Sequence, residues 1–158
     1  VRVAILGPLE VESAAVGGAR LRRLLVRLAL AAGRAVTVEE LAADLWPEEP
    51  PADPGNALQS LISRLRRTLP EAGALVSVPG AYRLEADTDA GEFDRLTARA
   101  RQHDDPAVRA ALLKQALGLW RGAALGEVAA TWPARGPTCW PAAPSCGRPA
   151  NGGGCRWR

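Results

Sequence analysis

The stretch that most constrains this chain is GNALQSLISRLRRTL, Gly55 to Leu69. At 100° per residue, Leu58, Leu61, Ile62, Leu65 and Leu69 form one narrow stripe, and Asn56, Ser60, Ser63 and Arg67 fall opposite. The spacing predicts a helix with one side for a core and the other for a partner. Arg64 and Arg66 flank the polar side, and no acidic residue occurs within the stretch. Such a surface suits a DNA major groove, where Arg and Asn can read base edges while Ser and outlying Arg hold phosphates. An ordinary amphipathic surface helix would show the same pattern, so the rest of the chain has to decide between the two.

Composition narrows the classes without choosing one. The 158 residues allow one ordinary domain or two small ones, and 47% hydrophobic content with only 4% aromatics makes Leu, Val and Ala the core formers. The formal charge of +3 is uneven: residues 131–158 hold four arginines and no acid, leaving 16 basic against 17 acidic side chains in 1–130. A nucleic-acid reading must therefore rest on local clustering. No apolar run approaches the roughly 18 residues of a membrane span, and VRVAILGPLEV lacks a signal-peptide pattern, so a cytoplasmic protein with no membrane partner is expected. Cys139, Cys146 and Cys155 match no common zinc spacing, and the single histidine, His103, lies far upstream. No metal, no cofactor and no catalytic residue is expected; a phosphate loop or a nucleophile with its base cannot be assembled from these residues.

VRVAIL (1–6) and LEVES (9–13), separated by Gly7 and Pro8, read as a small antiparallel strand pair. Leu21, Leu24, Leu25, Leu28 and Ala32 then repeat at helical spacing, with Gly33 placed to end the helix. Its other side carries Arg20, Arg22, Arg23 and Arg27, for most of which solvation is expected rather than contact with DNA backbone. Thr37 and Glu40 form a capping-box pattern before VEELAADLW, which Pro47 stops. The segment PEEPPADP is too long for the tightest helix-turn-helix connection. It predicts a winged-helix variant whose enlarged acidic loop could be offered to a protein. After the arginine-bearing helix, ALVSVPGAYRLEA reads as a hairpin turning at Pro79-Gly80, the position of a wing. Arg83 and the tip are candidates for the adjacent minor groove or its phosphates, and Tyr82 for packing.

EADTDAG, residues 85–91, is polar and acidic and reads as a linker. Two helical patterns follow: Phe93, Leu96 and Ala100, then Ala110, Leu113, Leu117 and Trp120, with Asp105 and Pro106 suited to N-cap and first helical position. Two helices on a short connection look like one unit of a helical repeat, which leaves apolar surface open unless further units stack on it. Residues 1–86 are therefore expected to fold alone and 90–130 to be marginal and protease-sensitive. From Thr131 onward five Pro, five Gly, three Trp and three Cys occur without one Leu, Ile or Val, so no periodic apolar face exists and disorder is expected.

The order of these elements resembles the Streptomyces antibiotic regulatory protein family, whose members join an OmpR-like winged helix to a bacterial transcriptional activation domain. The resemblance is carried by ILGPLEV, LRRLLVRLAL, VEELAADLWPEEPP, NALQSLISRLRRTL, PGAYRLEAD, GEFDRL and ALGLWRG, and covers about 1–128. It implies an α+β winged helix-turn-helix over 1–86, with an N-terminal antiparallel sheet, three helices and a C-terminal hairpin wing. A linker over 87–91 and an incomplete all-α tetratricopeptide-like hairpin over 92–128 would follow, and 129–158 would be tail. The implied function is sequence-specific DNA binding at direct repeats beside promoters, with activation of pathway genes, often of secondary metabolism, through RNA polymerase; a homodimer on DNA is one arrangement. Carried over, Asn56, Gln59, Ser60, Ser63, Arg64, Arg66 and Arg67 would lie in or near the major groove and Arg83 in the wing. The family's activation domain continues through several more helices, whereas here the helical pattern ends after the first pair, so activation is expected to be weak or absent and the open face of the pair to be prone to self-association. A protein-binding adaptor and a non-activating DNA-binding fragment are the alternatives.

Overall fold

The computed structural model describes residues 1–123. Six short strands and five helices follow one another: β1 (Arg2–Ala4), β2 (Glu10–Val11), α1 (Ala19–Leu30), β3 (Val36–Thr37), α2 (Val38–Leu45), α3 (Pro54–Thr68), β4 (Leu75–Val78), β5 (Ala81–Leu84), β6 (Asp87–Thr88), α4 (Asp89–Gln102) and α5 (Pro106–Gly118). The expected tail, 129–158, its three cysteines and the end of the second unit lie outside the described residues.

Around α1 the first unit closes. Leu21, Leu24, Leu25, Val26, Leu28 and Ala29 are all buried, so this helix is covered on most sides, by α2, α3, β5 and α4. α2 starts where the sequence predicts: Thr37 Oγ1 accepts from Glu40 N–H at 3.2 Å, and Glu40 Oε2 accepts from Thr37 N–H at 2.9 Å. That backbone hydrogen bond to its charged form holds the Glu40 carboxyl below its ordinary pKa. The basic side of α1 departs from expectation. Arg23 is only 8% exposed, and Arg27 Nε bonds Asp44 Oδ2 on α2 at 2.6 Å. Burial lowers the Arg23 pKa, an effect opposed by the nearby Asp44 carboxylate. Arg23 is buried and Arg27 is tied across the α1–α2 seam, so neither the solvated account nor the DNA-backbone account describes them.

Two three-stranded sheets frame the helices, ordered β3-β5-β4 and β2-β1-β6. The predicted hairpin forms with Leu75 opposite Leu84 and Val78 opposite Ala81. Pro79 and Gly80, the latter at φ 69°, supply the residue pattern of a type II turn. β3 makes β5 the middle strand. These parts together form a winged-helix-like unit.

The second sheet corrects two expectations. It is mixed, because β6 pairs with β1 in parallel, and the run read as a linker is strand followed by helix. The reason lies in Asp89, whose buried carboxylate accepts from Ile5 N–H at 2.8 and 3.0 Å and from Leu6 N–H at 2.9 Å. From the far end of the helical pair, Arg121 N–H donates to Leu6 O at 2.8 Å, and Arg121 Nη1 meets Glu10 Oε2 at 2.6 Å. The turn at Leu6–Pro8 is thus held from both sides, and a Cβ at Gly7 would stand 2.9 Å from that of Arg121. The helical pair is docked on the first unit.

Asp105 and Pro106 begin α5 as the sequence predicts. Leu112 and Ala116 turn inward, and Phe93 meets Trp120 edge to face with centroids 6.2 Å apart. The stripe of Leu113, Leu117 and Trp120 faces outward, with Leu117 66% and Trp120 46% exposed, while Leu96 is half-buried. Among the described residues no helix is long and apolar enough to cross a membrane.

Candidate nucleic-acid interface

The geometry of α3 follows from its two ends and its buried stripe. Asp53 Oδ1 accepts from Asn56 N–H at 2.9 Å, and Pro54 occupies the first turn, where a missing N–H costs no helical bond. Leu58, Leu61, Ile62 and Leu65 on the helix and Leu69 at its end are buried, at roughly 1.5–3 kcal/mol for each large aliphatic side chain. That burial fixes the rotation of the helix, and its polar side is left outside. Asn56, Gln59, Ser60, Ser63, Arg64 and Arg67 are all exposed. They occupy a surface about three turns long without a carboxylate between positions 55 and 69.

The predicted residues do not act as one set. Arg67 Nε makes a long, 3.4 Å contact to Ser63 O within its own helix, a weak bond that a better acceptor can displace. Arg66 is half-buried, and its guanidinium is directed to the hairpin, at Leu75 O and Ser77 Oγ. Arg83 lies on β5 opposite Val76 and bonds Glu85, so its charge is balanced within the wing. The tip itself, Val78-Pro79-Gly80, carries no cation. Tyr82 is half-buried against the core, in line with a packing role.

The loop from Pro47 to Asp53 separates α2 from α3 and leaves Glu48 and Glu49 exposed. Its acids stand at the start of α3, away from the arginines of the last turns. Among the described residues no group of three or more His, Cys, Asp or Glu could hold a metal. Two structural groups escaped the sequence reading: Asp89, hidden in an acidic run, and Arg121, in the turn after α5. The only signal for Asp89 was Thr88, a helix N-cap residue whose Oγ1 accepts from Gly91 N–H at 3.0 Å.

Comparison with known proteins places this geometry. Residues 15–80 match the family described as transcriptional regulatory protein, C terminal, and residues 88–146 match the bacterial transcriptional activator domain. The second match continues past residue 128, where the periodicity suggested an end. The transcriptional regulator RedD of Streptomyces coelicolor is 38% identical over 141 residues, covering 79% of this chain and 40% of RedD. The regulatory protein AfsR of the same organism is 36% identical over 138 residues, covering 80% of this chain and 14% of AfsR. A solved structure of Mycobacterium tuberculosis EmbR in complex with a low-affinity phosphopeptide superposes with a TM-score of 0.68 at 28% identity, covering 78% of this chain and 37% of that one. This chain spans less than half the length of each of these relatives. With a regulatory C-terminal domain followed by an activator domain, and relatives whose alignments run across both, the chain belongs to the Streptomyces antibiotic regulatory protein family of transcriptional regulators.

Proposed function

We propose that this chain binds promoter DNA sequence-specifically by laying α3 in the major groove, with the β4–β5 hairpin as a wing beside it. The observation that carries this reading is the exposed side of α3, where Asn56, Gln59, Ser60, Ser63, Arg64 and Arg67 stand together with no acid among them. Asn56, Gln59 and Arg67 have the donors and acceptors to read base edges, and Ser60, Ser63 and Arg64 those to hold phosphates. Arg83, tied to Glu85, is a weaker phosphate ligand than its position in the wing alone suggests. The target is a set of direct repeats, so that copies bind in the same orientation and can form a dimer on the DNA. Bound there, the chain engages RNA polymerase in the cytoplasm and activates genes of secondary metabolism, a reading supported by its family. The acidic Pro47–Asp53 loop is the surface offered to polymerase. The winged-helix unit comprises 1–86, and α4 with α5 opens an activation unit of tetratricopeptide-like helical hairpins.

Mobility-shift titration of the full chain tests this, comparing duplexes with direct repeats against scrambled duplexes at two salt concentrations. Retention of the repeats at concentrations that leave scrambled DNA free, weakening as salt rises, is expected. Lack of any salt-dependent complex at about 10 µM protein, where even non-specific complexes form, would overturn the proposal.

A further inference from the structure

Arg66 bridges α3 and the wing. Its Nε and Nη2 donate to Leu75 O at 3.1 and 3.0 Å, and Nη2 also donates to Ser77 Oγ at 2.8 Å. Hairpin register explains why that carbonyl is open. Glu85 N–H donates to Ala74 O at 2.7 Å, which marks 74 and 85 as a hydrogen-bonded pair. Such pairs alternate with non-bonded ones along antiparallel strands, so Leu75, opposite Leu84, turns its C=O away from β5. β4 is the outer strand of its sheet, and among the described residues no further strand is present there to take that carbonyl. The rigid guanidinium fork of Arg66 fills the place of the missing strand.

We propose that Arg66 is a positioning residue for DNA binding: through Leu75 and Ser77 it sets the wing at a fixed distance and angle from α3, and it supplies no phosphate contact. This rests on the reading of α3 and the wing as the DNA-binding surface. Exposure separates Arg66 from Arg64 and Arg67, which flank it in sequence, project into solvent and remain available to DNA. Three donor contacts to one strand leave the fork little freedom to turn toward a groove. A lysine at this position would keep the charge and lose the two-nitrogen geometry, so charge and position can be tested separately.

The experiment measures affinity for the repeat duplex and its salt dependence in Arg66→Lys, Arg66→Ala, Ser77→Ala and the double variant Arg66→Ala/Ser77→Ala of the full chain. Arg66→Lys is expected to bind about tenfold more weakly, the scale of one or two lost charge-assisted hydrogen bonds, with an unchanged salt slope. Ser77→Ala should weaken binding about threefold, and the double variant should bind no more weakly than Arg66→Ala alone, since Ser77 acts through the guanidinium. Wild-type affinity in Arg66→Lys, a slope smaller by about 0.9 in Arg66→Ala, or additive losses in the double variant would overturn the proposal. Should Arg66→Ala fail to fold, Arg66→Lys and Ser77→Ala still decide it. Amide hydrogen exchange at Val76–Val78 in the DNA-free protein provides a second readout. Faster exchange in Arg66→Lys is expected, and unchanged exchange would overturn the tie to the wing. If the wild-type chain bound no DNA, the proposed function would fall while the exchange result still reported on the tie, so the two failures are distinguishable.

Discussion

Asp89→Ala removes the acceptor on which the N-terminal turn depends. Besides the adjacent Ala90 N–H, two backbone N–H groups of that turn, of Ile5 and Leu6, donate to this carboxylate, and its side chain is only 4% exposed. Alanine offers them no oxygen and leaves little room for a replacement water. An unsatisfied buried donor costs about 1–3 kcal/mol, so two bring the loss to about 4 kcal/mol. Arg121 adds little, because it lies 3.7 Å from Asp89 and keeps its shorter pairing with Glu10. Against the 5–15 kcal/mol by which domains of this kind are stable, that is a large fraction. Asp89→Asn keeps one oxygen but turns an N–H₂ toward an amide, and should lose about half as much. Urea unfolding of the full chain, followed by circular dichroism and tryptophan fluorescence, gives the free-energy difference from the midpoint and slope. A loss below about 1 kcal/mol in Asp89→Ala, with the Ile5 and Leu6 amides still protected from exchange, would refute the reasoning by showing that other acceptors serve these groups as well.

Arg67→Ala should reduce specific binding more than non-specific binding, by about 1–3 kcal/mol for a bidentate base contact, and equal loss on repeat and random duplexes would remove it from a reading role. Gly7→Ala should destabilise by about 1–3 kcal/mol through the approach of its new Cβ to that of Arg121. In a double-mutant cycle with Arg121→Gly, which removes the opposing atom, the two effects should not add; additivity by chemical denaturation would show that the clash is relieved elsewhere. Glu40 has a depressed folded pKa, so its stabilisation is fully present above the ordinary carboxylate range, about 4.3, and is lost as pH falls through the lower folded value. Glu40→Gln should flatten that part of the stability–pH profile, and an unchanged profile would count against the capping box as its source. Glu48→Ala with Glu49→Ala should leave DNA affinity intact and lower reporter activation; unchanged activation would remove the loop as the polymerase-facing surface.

Periodicity and caps carried most of the fold. The leucine stripe of α3, the Thr37–Glu40 box, Pro79-Gly80 and the Asp105-Pro106 start each express a local rule, and local rules are written in neighbouring residues. β3 and β6 could not be found that way. Each has two residues and exists only because a partner distant in sequence supplies the hydrogen bonds. The same limit applied to the site. The side of α3 that faces solvent was legible, because rotation follows from the apolar stripe, but the opposite fates of Arg64 and Arg66 were not. They flank the same face in the helical projection, and only the placement of β4 gives one of them a carbonyl to bind. Arg27 repeats the case on α1, where the carboxylate of Asp44 on α2 holds it at a seam between helices.

The acidic run before α4 shows why composition misleads where connection matters. Asp and Thr between two structured segments read as a linker because their side chains compete with regular backbone pairing. Here that same capacity builds the junction: Thr88 caps the helix, Asp87 N–H donates to Val1 O, and Asp89 takes the amides of Ile5 and Leu6. A flexible linker would let the activation helices sample many orientations relative to α3. The observed junction leaves no such slack, since the first strand of the winged-helix unit is hydrogen-bonded along one side to the residues that begin α4. If α3 binds DNA as proposed, its placement there also fixes where α4 and α5 stand. Under the proposed function, an activation surface held in a defined register with the DNA-binding helix would make the spacing of the bound site from the promoter a determinant of activity.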